Sequence, residues 1–126
     1  DLHSFPTRRS SDLVGDFDQP VALLVNGYSA SASEILAGAL QDTKKASLVG
    51  SKTFGKGIVQ EVVPLLDGSG YKLTIAQYFT PKGRNIHKKG LTPDYVVKQS
   101  KAYQNVVIVP ERQDLQLQKA LEVVAR

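Results

Sequence analysis

The sequence predicts a mixed fold, either α/β or α+β, in which a strand, a helix and a second strand precede a hairpin. A continuous apolar run at 21–25 suits a buried strand of a largely parallel sheet, and an amphipathic segment follows it. Two later runs flank Asp67-Gly68-Ser69-Gly70, residue types that tolerate a positive φ angle and indicate a hairpin turn. This succession of elements is typical of a mixed domain.

Periodicity gives the individual elements. The first helix is predicted from apolar positions that share one face, and polar residues at 41–45 end it; the positions are Ala32, Ile35, Leu36, Ala39 and Leu40. We expect strands at 46–49, 58–66 and 71–79, a loop at 80–91 and a short strand at 94–97. A last helix is predicted at 115–124, because Leu117, Leu121 and Val124 share a face.

Composition narrows the functional class. The 126 residues form one domain or part of one, and a net charge of +4 is too mild to argue for nucleic-acid binding. The most basic stretch, residues 82–89, lacks interleaved aromatic residues for base stacking, so we interpret it as a solvated surface loop. There is no cysteine for disulfide or thiolate chemistry and no run near the roughly 20 apolar residues that span a bilayer. Because the first residues lack a basic region followed by an apolar one, no signal peptide is expected in them.

Residues 1–13, DLHSFPTRRSSDL, have neither helical nor strand periodicity. The whole stretch matches, in order, the translation of a common short-read sequencing adapter. The alternative is a disordered natural terminus that contains Ser and Arg. We interpret 1–13 as a disordered artefact and exclude it from the fold. The natural residues of this chain are then expected to start near residue 14. An upstream part of the natural protein, of unknown length, is expected to be missing.

Ser31 lies at the predicted turn from strand to helix. Ser31 to Glu34 has the pattern of a capping box, in which the serine caps the helix and Glu34 reaches back to the backbone. Most such patterns are only caps. The same geometry also suits a nucleophile, because free N–H groups and the positive end of the helix dipole lie beside the serine oxygen. The amide of Ala32 would then donate to an oxyanion.

A serine nucleophile needs a base, and Lys56 is the candidate. The two histidines, His3 and His87, have no suggestive context, so a Ser-His-Asp triad is not favoured. A lysine serves if it is neutral, which requires burial to lower its pKa by about two to three units from near 10.4. We expect packing beside Phe54 and Ile58 to supply that burial. The alternative is a solvated loop lysine.

Gln60 follows Lys56 by four residues. Even spacing in a strand would put both side chains on one face, where the glutamine would orient the amine. The alternative is a glutamine on the polar face of a hairpin.

A phosphate loop competes with this interpretation. Residues 50–57, GSKTFGKG, are close to the pattern G-x-x-x-x-G-K-[ST]. Gly57 stands where the magnesium-binding hydroxyl is needed, and a strand is predicted where a phosphate loop should open a helix. A nucleotide site is therefore less favoured than a Ser/Lys pair.

Three stretches together resemble the carboxy-terminal processing peptidases, also called tail-specific proteases: SASASEI, KTFGKGIVQ and LLDGSGYKLTIAQYFTPKGRNIHKKGLTPDYVV. The resemblance covers about residues 17–97, and 114–125 resembles the closing helix of that family. It implies an α/β fold with a crotonase- and Clp-protease-like sheet and packed helices. It also implies a serine endopeptidase that cleaves polypeptides near their C-termini without cofactor or metal. By position, Ser31 is the nucleophile, Lys56 the base, Gln60 its assistant and Ala32 one oxyanion donor.

The same resemblance sets expectations for the rest of the protein. A PDZ domain, the first half of the protease core and a second oxyanion donor are expected upstream. Residues 14–126 would then be the C-terminal half of the catalytic core, inactive alone. The expected partners are polypeptide substrates and not nucleic acid, and the expected location is the cell envelope or periplasm. The alternative is a non-catalytic peptide-binding module on the same scaffold. The presence of all three candidate catalytic residues, Ser31, Lys56 and Gln60, argues against it.

Overall fold

The computed structural model describes residues 18–104, 106 and 108–125. Residues 1–13 lie outside this range, so their interpretation as an adapter product stays a prediction. Five strands and two helices are described: β1 (Ala22–Val25), α1 (Ala32–Asp42), β2 (Ser47–Gly50), β3 (Ile58–Pro64), β4 (Gly70–Gln77), β5 (Tyr95–Val96) and α2 (Leu115–Val124). Short 3-10 helices span Lys101–Tyr103 and Glu111–Gln113.

A three-stranded parallel sheet in the order β1-β2-β5 forms the centre of the chain. The prediction of a parallel arrangement is confirmed, and α1 is the crossover between β1 and β2. Val25 is opposite Gly50 at the end of the β1–β2 pair. A Cβ on Gly50 would lie 2.0 Å from the Val25 carbonyl oxygen, so only glycine fits where the two strands end.

The antiparallel hairpin β3–β4 is the second sheet. The predicted turn is confirmed, with Gly68 at a φ of 84°. Strand β3 ends at Pro64 and not at 66, because Leu65 already belongs to the turn, where its N–H donates to the Ser69 carbonyl. Every residue of β4 is exposed. The hairpin therefore contributes little to the core of the described residues.

Helix α1 buries a different face from the one predicted. Ile35 and Leu36 are 37% and 55% exposed, whereas Ala37 and Gly38 are buried. Gly38 lies so close to the 80–91 loop that a Cβ there would be 2.7 Å from the Thr80 Cγ2 atom. The small residues form the buried face because this close approach of helix and loop has no room for a larger side chain.

The 80–91 loop is part of the core and not only a solvated loop. Ile86 and Leu91 are 1% and 2% exposed and pack with residues of β1, α1 and β2; the remaining core residues are Val25, Ala37 and Leu48, with Leu23 against them. The loop is thereby fixed beside the middle and the C-terminal end of α1.

Helix α2 has the predicted bounds and packs against β1 and β2. The Asp114 side chain caps it by accepting from the N–H groups of Gln116 and Leu117. Ala120 is its buried residue, and Leu121 is half-exposed. Among the residues that the structure describes, no helix has the length and apolar character needed to cross a membrane.

Candidate active site

Ser31 is held in a backbone conformation that L residues rarely adopt. It is the N-cap of α1, with φ 55° and ψ −116°, and the capping box that the sequence predicts is present. A non-glycine residue in such a region carries about 1–3 kcal/mol of strain and persists only where its surroundings fix it. Such strain is concentrated at functional sites. As the N-cap, Ser31 also lies at the positive end of the α1 dipole.

The N–H group of Ala32, the predicted oxyanion donor, follows directly. Its neighbours are occupied, because Ser33 donates to the Ala30 carbonyl and Glu34 donates to the Ser31 carbonyl. Within the described part of the chain, the Ala32 N–H has no hydrogen-bond acceptor. A free donor next to the candidate nucleophile is what an oxyanion site requires. The role of Ala32 stays a prediction.

Glu34 connects the Ser31 turn to the Lys56 loop. Its side chain is fully buried. Carboxylate oxygen Oε2 accepts from the backbone N–H of Ser31 at 3.1 Å and from that of Lys56 at 2.8 Å. Oxygen Oε1 accepts from the Thr53 hydroxyl at 2.5 Å and from the Gly55 N–H at 2.7 Å. The backbones of Ser31, the candidate nucleophile, and Lys56, the candidate base, are therefore close in space, although the two residues are far apart in sequence.

Only one of these four contacts was accessible to sequence reasoning. The capping-box pattern predicts the bond from Ser31 to Glu34, because both residues lie in one helical turn. The contacts with Thr53, Gly55 and Lys56 depend on the tertiary placement of another loop, and no local pattern indicates them.

The glycines on either side of Lys56 are explained by the 86–90 segment. A Cβ on Gly55, whose φ is 92°, would lie 2.9 Å from the Gly90 nitrogen. A Cβ on Gly57 would lie 2.5 Å from the His87 nitrogen. Lys88 also donates its N–H to the Gly55 carbonyl at 2.8 Å. The Lys56 backbone is thus confined between Glu34 and the 86–90 segment.

The expected burial of Lys56 is wrong for the described residues. The Lys56 side chain is exposed, and Phe54, which was expected to cover it, is itself 65% exposed. The reason is that the buried contacts of the loop are made by its backbone and by Thr53, with the larger side chains pointing outward. The described residues therefore do not supply the desolvation that a neutral lysine needs.

Gln60 is exposed, and among the described residues its side chain has no hydrogen bond with Lys56. Strand β3 begins at Ile58, after Lys56, and a bulge interrupts its register between Val59 and Gln60. The even-spacing argument therefore does not apply, since a bulge changes which face each residue occupies. The Gln60 side-chain nitrogen Nε2 lies 3.5 Å from the Thr74 hydroxyl, which is a weak contact. The assisting role of Gln60 stays a prediction.

A second buried carboxylate, Asp42, anchors the other end of α1. It forms an ion pair with Arg84 and accepts from the Lys82 N–H at 2.9 Å. Burial raises the pKa of Asp42, but hydrogen bonds from Thr80, Lys82 and Arg84 and the Arg84 charge outweigh it, so the pKa is lowered from 3.8. This part of the basic loop therefore has an intramolecular role.

A cavity of about 800 Å³ adjoins the turn before Ser31, with Asn26, Gly27 and Tyr28 on one side and Gln99 and Asp114 on the other. Its lining does not include the candidate catalytic residues.

No cluster of three or more His, Cys, Asp or Glu side chains suited to a metal ion occurs in the described ranges. The 50–57 segment leads into β3, as predicted, and not into the helix that a phosphate loop opens.

Proteins of known class are similar to this chain in sequence. A carboxyl-terminal-processing protease of Synechocystis sp. is 50% identical over 107 residues, which are 85% of this chain and 25% of that protein. A chloroplastic C-terminal processing peptidase of Tetradesmus obliquus is 53% identical over 79 residues, which are 63% and 17% of the two proteins. The chain spans about a quarter of the length of the first curated relatives it matches.

A solved structure shares the fold. The photosystem II D1 C-terminal processing protease superposes with a TM-score of 0.59 at 52% identity, over 62% of this chain and 20% of that one. The α/β arrangement of sheets and two helices described above is therefore similar to that of a C-terminal processing protease.

The sequence pattern that defines peptidase family S41 matches residues 4–97. This interval is well over half of the chain and contains Ser31, Lys56 and Gln60. Relatives from several bacteria carry the names carboxyl-terminal-processing protease or CtpA-like serine protease. The chain therefore belongs to peptidase family S41, the C-terminal processing serine proteases, and the resemblance predicted from its motifs is confirmed.

Proposed function

We propose that the full-length protein containing this chain is a serine endopeptidase that cleaves polypeptides near their C-termini. Ser31 is the nucleophile, Lys56 the general base, Gln60 its assistant, and the Ala32 N–H one oxyanion donor. The observation that carries the proposal is the shared oxygen of Glu34, which holds the Ser31 and Lys56 backbones together. A strained serine at a helix N-terminus beside a glycine-bracketed lysine fits a Ser/Lys pair.

In the proposed reaction, neutral Lys56 takes the proton of the Ser31 hydroxyl as Oγ attacks the scissile carbonyl carbon. The carbonyl oxygen becomes an oxyanion and accepts from the Ala32 N–H. Collapse of this intermediate breaks the C–N bond, and protonated Lys56 returns its proton to the leaving amine. Water then attacks the acyl-enzyme with Lys56 again as base, which releases a carboxylic acid and restores the serine.

The remaining proposals concern the protein beyond this chain. We infer a crotonase- and Clp-protease-like sheet of which residues 14–126 form the C-terminal half, inactive alone. The first half of the core would supply the second oxyanion donor, the cover for Lys56 and, before it, a PDZ domain. The match to about a quarter of the relatives' length supports a whole protein that is longer than this chain. The proposed location is the cell envelope or periplasm.

The test compares Ser31→Ala and Lys56→Ala in the full-length protein with the controls Ser33→Ala and Lys52→Ala, which change exposed neighbours of the same type. Hydrolysis of a peptide carrying a C-terminal tag is the measurement. Each catalytic variant should lose at least about 10³-fold in kcat/KM, whereas the controls retain activity. Retained activity in Ser31→Ala or Lys56→Ala refutes the assignment.

A non-catalytic peptide-binding module is the second candidate, and the exposure of Lys56 in the described residues favours it. A serine-reactive phosphonate probe distinguishes the two. Labelling at Ser31 in the full-length protein supports the peptidase, whereas peptide binding without labelling supports the module.

A further inference from the structure

We propose that Glu34 is a positioning residue for the Ser31/Lys56 pair, an inference that rests on the proposed function. A serine and a lysine on separate loops react only if their backbones keep a fixed separation. The Ser31 and Lys56 nitrogens lie 3.1 and 2.8 Å from the same Glu34 oxygen. While both hydrogen bonds are present, the distance between the two nitrogens therefore cannot exceed the sum of these two distances.

The second oxygen makes this connection rigid. Oε1 accepts from Thr53 and Gly55, so the carboxylate cannot rotate without losing contacts on both sides. The Thr53 hydroxyl in turn accepts from the Leu91 N–H at 2.7 Å, which links the carboxylate to the buried Leu91. A helix cap alone needs only the bond to Ser31, so the other three contacts require a different explanation.

The chemistry of the site leaves no good substitute for glutamate. All four partners donate, and a carboxylate offers acceptor positions on both oxygens. Glutamine would point its NH₂ group at two of these donors and would release either the Ser31–Lys56 pair or the Thr53–Gly55 pair. Aspartate keeps both oxygens but is one methylene shorter, so it cannot reach both loops at once.

Kinetics of the full-length protein test the proposal. Glu34→Gln should lower kcat by about 10²-fold with KM changed less than about threefold, since a displacement of about 1 Å between reacting groups has this effect. Glu34→Asp should fall between Glu34→Gln and the parent. The control is Glu61→Gln, the same change at an exposed carboxylate of β3, which should keep the parent kcat.

A merely structural glutamate would give a different result. Its replacement would lower the melting temperature but leave the parent kcat in the protein that remains folded. A folded Glu34→Gln variant with a kcat within about twofold of the parent therefore overturns the proposal. If Ser31→Ala is inactive in the same assay while Glu34→Gln is fully active, only this inference fails. If Ser31→Ala is active, the proposed function fails.

Hydrogen exchange of the parent protein tests the bridge even if the variants do not fold. The N–H groups of Ser31 and Lys56 should exchange slowly because Glu34 accepts both. The neighbouring N–H of Ala32, which has no acceptor in the described residues, is the internal control and should exchange fast. Exchange of Ser31 and Lys56 as fast as that of Ala32 would overturn the proposal.

Discussion

Gly57 and His87 are in such close contact that a Cβ atom on Gly57 would lie 2.5 Å from the backbone nitrogen of His87. Real Cβ contacts are never this short, so one of the two backbones would have to move. Lys56 directly precedes Gly57, and its backbone is already bound to Glu34. Any displacement of the 86–90 segment is therefore transmitted to the candidate base.

Gly57→Ala is accordingly expected to reduce kcat/KM of the full-length protein by at least about tenfold, because the misplaced loop moves Lys56 away from Ser31. It should also lower stability by about 1–3 kcal/mol, as overpacking does. Gly27→Ala is the control, since a Cβ there meets only the Lys52 carbonyl oxygen at 3.9 Å. Peptide hydrolysis and urea unfolding are the measurements, and parent-like behaviour of Gly57→Ala would contradict the expectation.

Thr53 offers a test of the buried network around Glu34. Its hydroxyl donates to Glu34 and accepts from the Leu91 N–H, and the residue is 5% exposed. Thr53→Val keeps the shape but leaves the Leu91 N–H without its acceptor and removes one of the two donors to Glu34 Oε1, so we expect a loss of about 2–4 kcal/mol in the free energy of unfolding. Thr53→Ser keeps the hydroxyl and should lose less than about 1.5 kcal/mol, for one methyl group. Equal losses in the two variants would argue against a role for the hydrogen bonds.

Short-range chemistry explains which parts of the fold the sequence could predict. The Gly68 turn, the bounds of helix α2 and the bond from Ser31 to Glu34 each depend on residues close together in sequence. Their geometry follows from φ preferences and from the unsatisfied N–H groups at helix ends. These elements were accessible without knowledge of the tertiary structure.

Long-range packing explains what the sequence could not predict. The apolar spacing of α1 indicated a face with Ile35 and Leu36, but the close approach at Gly38 buries the opposite side. Likewise, the glycines around Lys56 indicated a special loop without showing that the 86–90 segment requires them. In both cases a backbone distant in sequence decides the outcome, and a local pattern carries no information about its position.

Asp42 gives a prediction for pH dependence. Its pKa is lowered from 3.8 in the folded protein, so it contributes stability that is present above this value. That stability is lost as the pH falls below 3.8 and through the lowered folded-state pKa. We therefore expect Asp42→Asn to be less stable than the parent at neutral pH, with the difference narrowing in acid. Melting temperatures measured between about pH 2 and 7 provide the test.

Arg84→Gln provides the matched control for this pH effect. It keeps the Asp42 carboxylate but removes the ion pair, which is one of the causes of the lowered pKa. The loss of stability below pH 3.8 should then be smaller than in the parent and complete at a higher pH, because the folded-state pKa of Asp42 moves back toward its ordinary value. An Asp42→Asn curve that stays parallel to the parent curve throughout would show that Asp42 does not contribute in this way.

The last prediction is that residues 14–126 alone do not hydrolyse peptides. The candidate base is exposed in the described residues, and Phe54 beside it is 65% exposed, so nothing described here keeps a lysine neutral. The Ala32 N–H would also act without a second donor, whose loss typically reduces kcat by about 10²–10³-fold. Purified 14–126 and the full-length protein should be compared on the same tagged peptide, with Ser31→Ala in the full-length protein as the background. Turnover by 14–126 above that background would show that the catalytic site is complete within this chain.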